Sequence, residues 1–266
     1  MTPAPGGALP ETCRAALWLW AGGALYSGPS LRLDPHSGSV DCLAVGVDAG
    51  FTVHTVPARD HDGRTARSAL IGARLPHRLV AAGERMVFCY LDPASARGRA
   101  CRSRMGEGGD GLWFGHADEA ALAGAATAAA LGAPGAVARW LELAAPAVPV
   151  PAPDNRIVAA AARLRGERGP ALAAAQLAAE SGLSLSRFLR LFRRETGTSF
   201  RRYRLWSRML RAGSALATGG DLTTAAAEAG FASPSHFSDS FRAMFGLAPS
   251  ALLGTGVTLR VGTPRE

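Results

Sequence analysis

SGLSLSRFLRLFRRETG (residues 181–197) and GFASPSHFSDSFRAMFG (residues 230–246) are one pattern written twice. Aligned on Ser184 and Ser233, the two copies place phenylalanines at Phe188 and Phe237, then at Phe192 and Phe241. Arginines follow at Arg193 and Arg242, and glycines at Gly197 and Gly246. Glu180 and Gly182 upstream of the first copy match Glu228 and Gly230 upstream of the second. Two copies are too few for a solenoid, so the pattern is read as one supersecondary unit used twice. Ser184 and Ser233 are good N-caps, and Pro234 suits a first helical position. Gly197 and Gly246 are expected to end the helices in the left-handed conformation. A 3.6-residue period then predicts one buried stripe per helix: Leu185, Phe188 and Phe192 in the first, Pro234, Phe237, Phe241 and Met244 in the second. A short small-residue helix precedes each copy, ALAAAQLAAE (171–180) and DLTTAAAEA (221–229), with Gly182 or Gly230 at the turn. Helix, glycine turn, capped helix is the helix-turn-helix pattern.

The face opposite the phenylalanines carries the chemistry. At about 100° per residue, Ser186, Arg187, Arg190, Arg193 and Arg194 project from the first helix. Ser235, His236, Asp239, Arg242 and Ala243 project from the second. Early positions of a recognition helix meet base edges in the major groove, where arginine pairs bidentately with guanine. Arginines farther along, Arg193, Arg194 and Arg242, are expected at phosphates, which add affinity without sequence information. Between the copies, SFRRYRLWSRMLRAGSALATGG has apolar residues at helical spacing. About 19 residues of helix span close to 30 Å, near the ~34 Å between successive major-groove faces of a duplex. Arg201 and Arg202, with Arg204, are expected near the DNA backbone.

Charge is divided unevenly along the chain. Residues 1–153 hold 13 Arg and 13 acids, while residues 154–266 hold 16 Arg and 8 acids, so the whole +8 lies in the C-terminal part. That asymmetry suits an anionic partner such as nucleic acid. Every basic residue is Arg and none is Lys, which with the Ala and Gly content reflects composition bias, not a device for phosphate contacts.

LAAPAVPVPAPDN (143–155) has four prolines within eight positions and reads as an interdomain linker. The organisation expected is a domain over 1–145, a linker over 146–153, a helical domain over 154–253 and a tail over 254–266. Short apolar runs between 16 and 92, broken by turn residues, predict an all-β sandwich or barrel. A helical pair should follow over 118–144, with Asp118 capping its first helix. Its uncharged stretch (120–138) is Ala- and Gly-rich and broken by GAPG, so no membrane span is expected. The N-terminal residues lack a signal-peptide pattern. Cys13, Cys42, Cys89 and Cys101 have no metal-binding spacing and read as reduced thiols, as in a cytoplasmic protein. His54, His61 and His77 lack the clustered spacing of a metal-dependent enzyme, so neither metal, cofactor nor catalytic residue is expected.

Three stretches together, DNRIVAAAARLRG, LAAESGLSLSRFLRLFRRETGTSFRRYRLWSRMLRA and AAEAGFASPSHFSDSFRAMFGLAPS, resemble the AraC/XylS family of bacterial transcription regulators over residues 154–253. The resemblance implies seven helices, two DNA-reading units, promoter binding and activation through RNA polymerase. Carried over by position, Ser186, Leu189 and Arg190 face bases from the first unit, with Arg187 adjacent. Ser235, His236 and Asp239 do so from the second. Asp239 stands where the family often has a basic residue, which weakens the case for base reading by the second unit. ALIGARLPHRLVAAGERMVFCYLDPAS (69–95) is similar to the cupin-like sensor half-barrel of such regulators, which implies an effector site near His77. By the same analogy the helical pair 118–144 is a homodimer interface. The competing functions are a cupin-type binding protein or enzyme with a vestigial helical domain, and a constitutive DNA-binding protein that senses nothing.

Overall fold

The computed structural model describes residues 15–58, 62–92, 95–126, 135–146, 153–167 and 172–262. Its N-terminal part is β-rich. An eight-stranded sheet runs β11-β1-β2-β8-β3-β6-β10-β9 and a three-stranded sheet runs β5-β4-β7. In chain order the strands are β1 (Ala16–Trp20), β2 (Gly23–Pro29), β3 (Asp41–Gly46), β4 (Phe51–Thr55), β5 (Arg64–Ala66) and β6 (Ser68–Ile71). They continue with β7 (His77–Ala81), β8 (Arg85–Leu91), β9 (Gly108–Gly109), β10 (Leu112–Phe114) and β11 (Thr258–Val261).

The centre of the larger sheet is buried on both faces, which is why DCLAVG in β3 and RMVFCYL in β8 read as nearly unbroken apolar runs. Alternation still sorts the residues. Cys42, Ala44, Met86 and Phe88 face Phe51, Val53 and Leu79 of the smaller sheet. Leu43, Val45, Val87 and Cys89 face the helical layer. That layer consists of α1 (Ala96–Ser103), α2 (Glu119–Ala125) and α3 (Ala136–Ala144). Trp140 of α3 is buried, and its indole N–H donates to the Leu122 carbonyl at 3.0 Å. The cupin-like sandwich with a helical pair is therefore present. Asp118 does stand just before α2, but its side chain makes no cap bond and pairs instead with Arg104.

The Pro-rich stretch falls largely on residues 147–152, outside the described ones. Cys13 and His61 lie outside them as well. From Asn155 to Gly254 the described chain is helical: α4 (Asn155–Arg165), α5 (Ala174–Glu180), α6 (Leu185–Thr196), α7 (Phe200–Ala217), α8 (Leu222–Glu228), α9 (Pro234–Phe245) and α10 (Pro249–Gly254). These are the seven helices the family resemblance implies. Two cores hold them. Ile157, Leu164, Leu177, Phe188, Phe192, Phe200 and Tyr203 form the first. Trp206, Met209, Ala225, Phe237 and Met244 form the second and share it with Leu19, Ala24 and Val40 of the β-rich part.

The reading of 254–266 as a tail needs correction. Thr258–Val261 is a strand that pairs in parallel with β1, Ala16 opposite Thr258 through Leu19 opposite Val261. Strand pairing is set by a distant partner, so the β-branched alternation of these final residues could suggest a strand but not that β1 would receive it. The helical domain is thus tied to the β-rich one by main-chain hydrogen bonds as well as by side chains. No helix among the described residues is long and apolar enough to cross a membrane.

Candidate nucleic-acid interface

Both repeat copies form the units that their landmarks predict. The Ser184 hydroxyl accepts from the Arg187 N–H at 3.4 Å, and that of Ser233 accepts from the His236 N–H at 3.1 Å. Gly182 and Gly230 turn the chain between helices at φ +63° and +77°. Gly197 and Gly246 stop α6 and α9 at φ +66° and +78°. Phe188 and Phe192 are fully buried and make a tilted and edge-on cluster with Phe200 and Tyr203, ring centroids 5.4 to 6.0 Å apart. Burying one such ring contributes about 1.5–3 kcal/mol, enough to fix which face of α6 is left outward.

The buried stripe is narrower than the sequence pattern suggests. Leu185 is 45% exposed, and Pro234 is exposed too, because each occupies the first helical position, beyond the edge of the helix preceding it. Phe241 is half-buried, turned toward the β-rich domain.

On the outward face of α6, Ser186, Arg187, Leu189, Arg190, Arg193 and Arg194 are all exposed. Arg194 pairs with its neighbour Glu195 at 2.7 Å. Arg187, Arg190 and Arg193 make no ion pair among the described residues, so three guanidinium groups stand together with their charge uncompensated. On α9, Ser235, His236, Asp239 and Arg242 are exposed. The His236 ring meets Phe231 edge-on at 5.5 Å, which restrains it. The second unit thus presents one arginine and one carboxylate where the first presents arginines.

The basic cluster at the start of α7 divides. Arg201 is exposed, as a phosphate contact requires. Arg202 is not available: it donates to the Ser37 and Gly38 carbonyls at 3.4 and 3.1 Å and to the Ser37 hydroxyl at 2.9 Å. Its expected phosphate role is corrected to a clamp between the domains. Arg204 likewise points inward, donating to the Leu172 carbonyl at 3.2 Å. Sequence spacing placed all three on one helix turn but could not distinguish the side facing the β-rich domain.

His77 is enclosed in the β-rich domain. It is 4% exposed, its Nδ1 is 2.8 Å from the Leu75 carbonyl, and its ring lies 4.3 Å from that of His36. Burial, reinforced by the neighbouring imidazole, holds its pKa down at about 3. The cavity beside it measures about 10 Å³, room for at most one water. Cys42, Cys89 and Cys101 are buried free thiols, that of Cys101 pushed up to about 12 by burial, so none is poised as a nucleophile. No cluster of metal-ligating side chains occurs among the described residues.

A larger apolar cavity of about 80 Å³ lies between the domains, at a place no local sequence pattern marks. Tyr26, Leu33 and Phe88 line it from one domain, and Trp206, Phe241 and Phe245 from the other. Around the cavity the domains are latched by polar contacts. Arg165 reaches Asp92 and Tyr203 at 2.7 and 2.8 Å, and the backbone N–H groups of Asp34 and Ser37 donate to the Gly246 and Ala243 carbonyls.

Residues 177–254 match the family model described as a helix-turn-helix domain. No curated protein matches the chain. Among solved structures it is similar to ToxT from Vibrio cholerae. One structure is 14% identical with TM-score 0.55, covering 88% of this chain and 98% of that one. The apo form of a single-residue ToxT variant from the same organism is 13% identical with TM-score 0.57, covering 90% and 98%. A ToxT structure with an unsaturated fatty acid bound is 14% identical with TM-score 0.52, covering 91% and 94%. At these identities the likeness shows a shared two-domain fold.

Proposed function

We propose that the chain is a DNA-binding transcription regulator of the AraC/XylS type, supported by the helix-turn-helix match over residues 177–254, in which α6 carries most of the base reading and α9 mainly positions it. The single observation that carries this is the contrast between Arg187, Arg190 and Arg193, exposed and unpaired, and Asp239 on the matching face. Ser186, Leu189 and Arg190, with Arg187 adjacent, are the proposed base-facing residues of the first unit, and Ser235, His236 and Asp239 those of the second. Arg193, Arg194, Arg201 and Arg242 are the proposed phosphate contacts. A carboxylate at 239 repels phosphate and accepts only from a base amine such as that of cytosine. The experiment is a nuclease footprint of the full chain on the DNA flanking its own gene. Protection of two adjacent major grooves supports the reading; absence of any protected sequence overturns it.

The effector site we assign is the interdomain cavity, in place of the neighbourhood of His77. A molecule there would touch α7 and α9 together with the β-rich domain and so bias how the two units are held. No described lining residue carries a charge. A ligand carboxylate would be buried without a counter-ion, so the cavity suits a neutral apolar molecule, in contrast to the fatty acid of the ToxT structure. A thermal-shift comparison of neutral apolar compounds with carboxylates of equal size tests this, since a true ligand stabilises by mass action. A homodimer through 118–144 would use the outer face of α2 and α3, including Ala120 and Ala121, because the inner face packs on the sheet. Activation through RNA polymerase rests on the family resemblance.

A further inference from the structure

Among the described residues only six large apolar side chains are well exposed, and the only two leucines among them are Leu185 (45%) and Leu189 (38%). They stand four residues apart, so they lie one above the other on the same side of α6. They border the face that carries Ser186, Arg190 and Arg193. Both leave more than a third of their surface in water beside unpaired arginines, apolar area that the fold does not cover. The matching positions of the second unit are Pro234 and Ser238, so the shared scaffold does not require leucine at either place.

What occupies this patch must be apolar in one spot and anionic around it. A second copy of the same surface would bring like charges together. The major groove meets both demands, because its only apolar feature is the thymine 5-methyl group and phosphates line its edges. We infer that Leu189, supported by Leu185, reads thymine methyl groups beside the base met by Arg190. This rests on the proposal that α6 enters the major groove, and it adds a base to it: the first unit selects thymine next to guanine.

Leucine cannot hydrogen-bond, so the discrimination is between thymine and anything lacking its methyl. Deoxyuridine removes that methyl and leaves every pairing and hydrogen-bonding group in place. The test uses the full chain and a duplex that it selects from a random pool, with each thymine replaced in turn by deoxyuridine and binding read by fluorescence anisotropy. One or two replacements are expected to weaken wild-type binding about four-fold, the equivalent of roughly 0.8 kcal/mol for one buried methyl. In Leu189→Ala the same replacements should have no effect, with the thermal midpoint unchanged as evidence that the variant folds. Leu185→Ala should reduce the uracil penalty without removing it. If the pool yields a preferred sequence but no thymine shows a uracil penalty, or Leu189→Ala retains the penalty, the inference falls while DNA reading by the chain stands. If no preferred sequence emerges, the underlying reading fails first.

Discussion

The hydroxyl of Tyr203, in the helix joining the two helix-turn-helix units, donates to the carboxylate of Asp92 at the end of the larger sheet. Arg165 completes the group at 2.7 Å from the same oxygen of Asp92. Both Asp92 and Tyr203 are almost wholly buried, so the contact is a polar latch inside an otherwise apolar seam. Tyr203→Phe keeps the ring and removes the donor. It should cost about 1–3 kcal/mol, as expected for a hydrogen bond to a buried charged group. An unchanged urea midpoint would show that the remaining partners of Asp92, Arg165 among them, satisfy it.

Arg190→Ala should reduce discrimination between a selected operator and random DNA by about 1–3 kcal/mol, the loss for one base pair. Asp239→Ala should leave selectivity nearly intact and strengthen binding slightly, because it removes a negative charge from the face turned toward polyanionic DNA. Gel-shift titrations at one fixed salt concentration compare them. Equal losses would refute the division of labour between the two units.

Gly246 ends α9 at φ +78°, and a Cβ there would come within 2.5 Å of the Asp34 carbonyl oxygen and 2.7 Å of His36 Nδ1. The position therefore needs glycine for two separate reasons, backbone conformation and close approach of the β-rich domain. Gly246→Ala should destabilise the whole protein by more than the ~1 kcal/mol of left-handed strain alone. Gly197→Ala, where nothing lies within 4 Å of the added Cβ, should cost only the strain. Thermal unfolding of the pair separates the two contributions.

Acid should weaken the protein through His77. Its folded pKa is held at about 3, while an unfolded imidazole takes a proton near 6.5. The unfolded chain thus binds protons first on acidification. The stability is fully present above about pH 6.5 and falls by up to roughly 1.4 kcal/mol per pH unit down to pH ~3. His36, also lowered mainly by burial, adds to the same trend. Urea unfolding at pH 7, 6 and 5 should show this slope, and His77→Gln should flatten it. A slope unaffected by that substitution would place the acid sensitivity elsewhere.

The helix-turn-helix units were legible because everything that forms them is local. Ser184, Gly197 and the Phe188/Phe192 spacing act within one helix, and duplication repeated the message. The larger sheet was legible as β-rich for a similar reason, through apolar runs broken by turns. What could not be read depends on partners far away in sequence. Arg201 and Arg202 are adjacent, yet one faces solvent and the other Ser37, a difference created only when the domains meet. The apolar cavity is likewise assembled from residues of both domains. Leu185 was misplaced in the core because periodicity gives a helical face but not where the neighbouring helix ends.

The parallel pairing of β1 with β11 has a consequence for how the protein is made. The β-rich part leaves the ribosome first, but the strand that covers its β1 edge is among the last described residues to emerge. Until then Ala16–Trp20, with Trp18 and Trp20, forms an open edge of a largely complete sheet. Uncovered edges of that kind invite pairing with other chains. Domains that fold in order of synthesis are most exposed to aggregation during such an interval. A premature stop that removes only the last strand would therefore leave the helix-turn-helix sequence intact and still yield a chain prone to self-association.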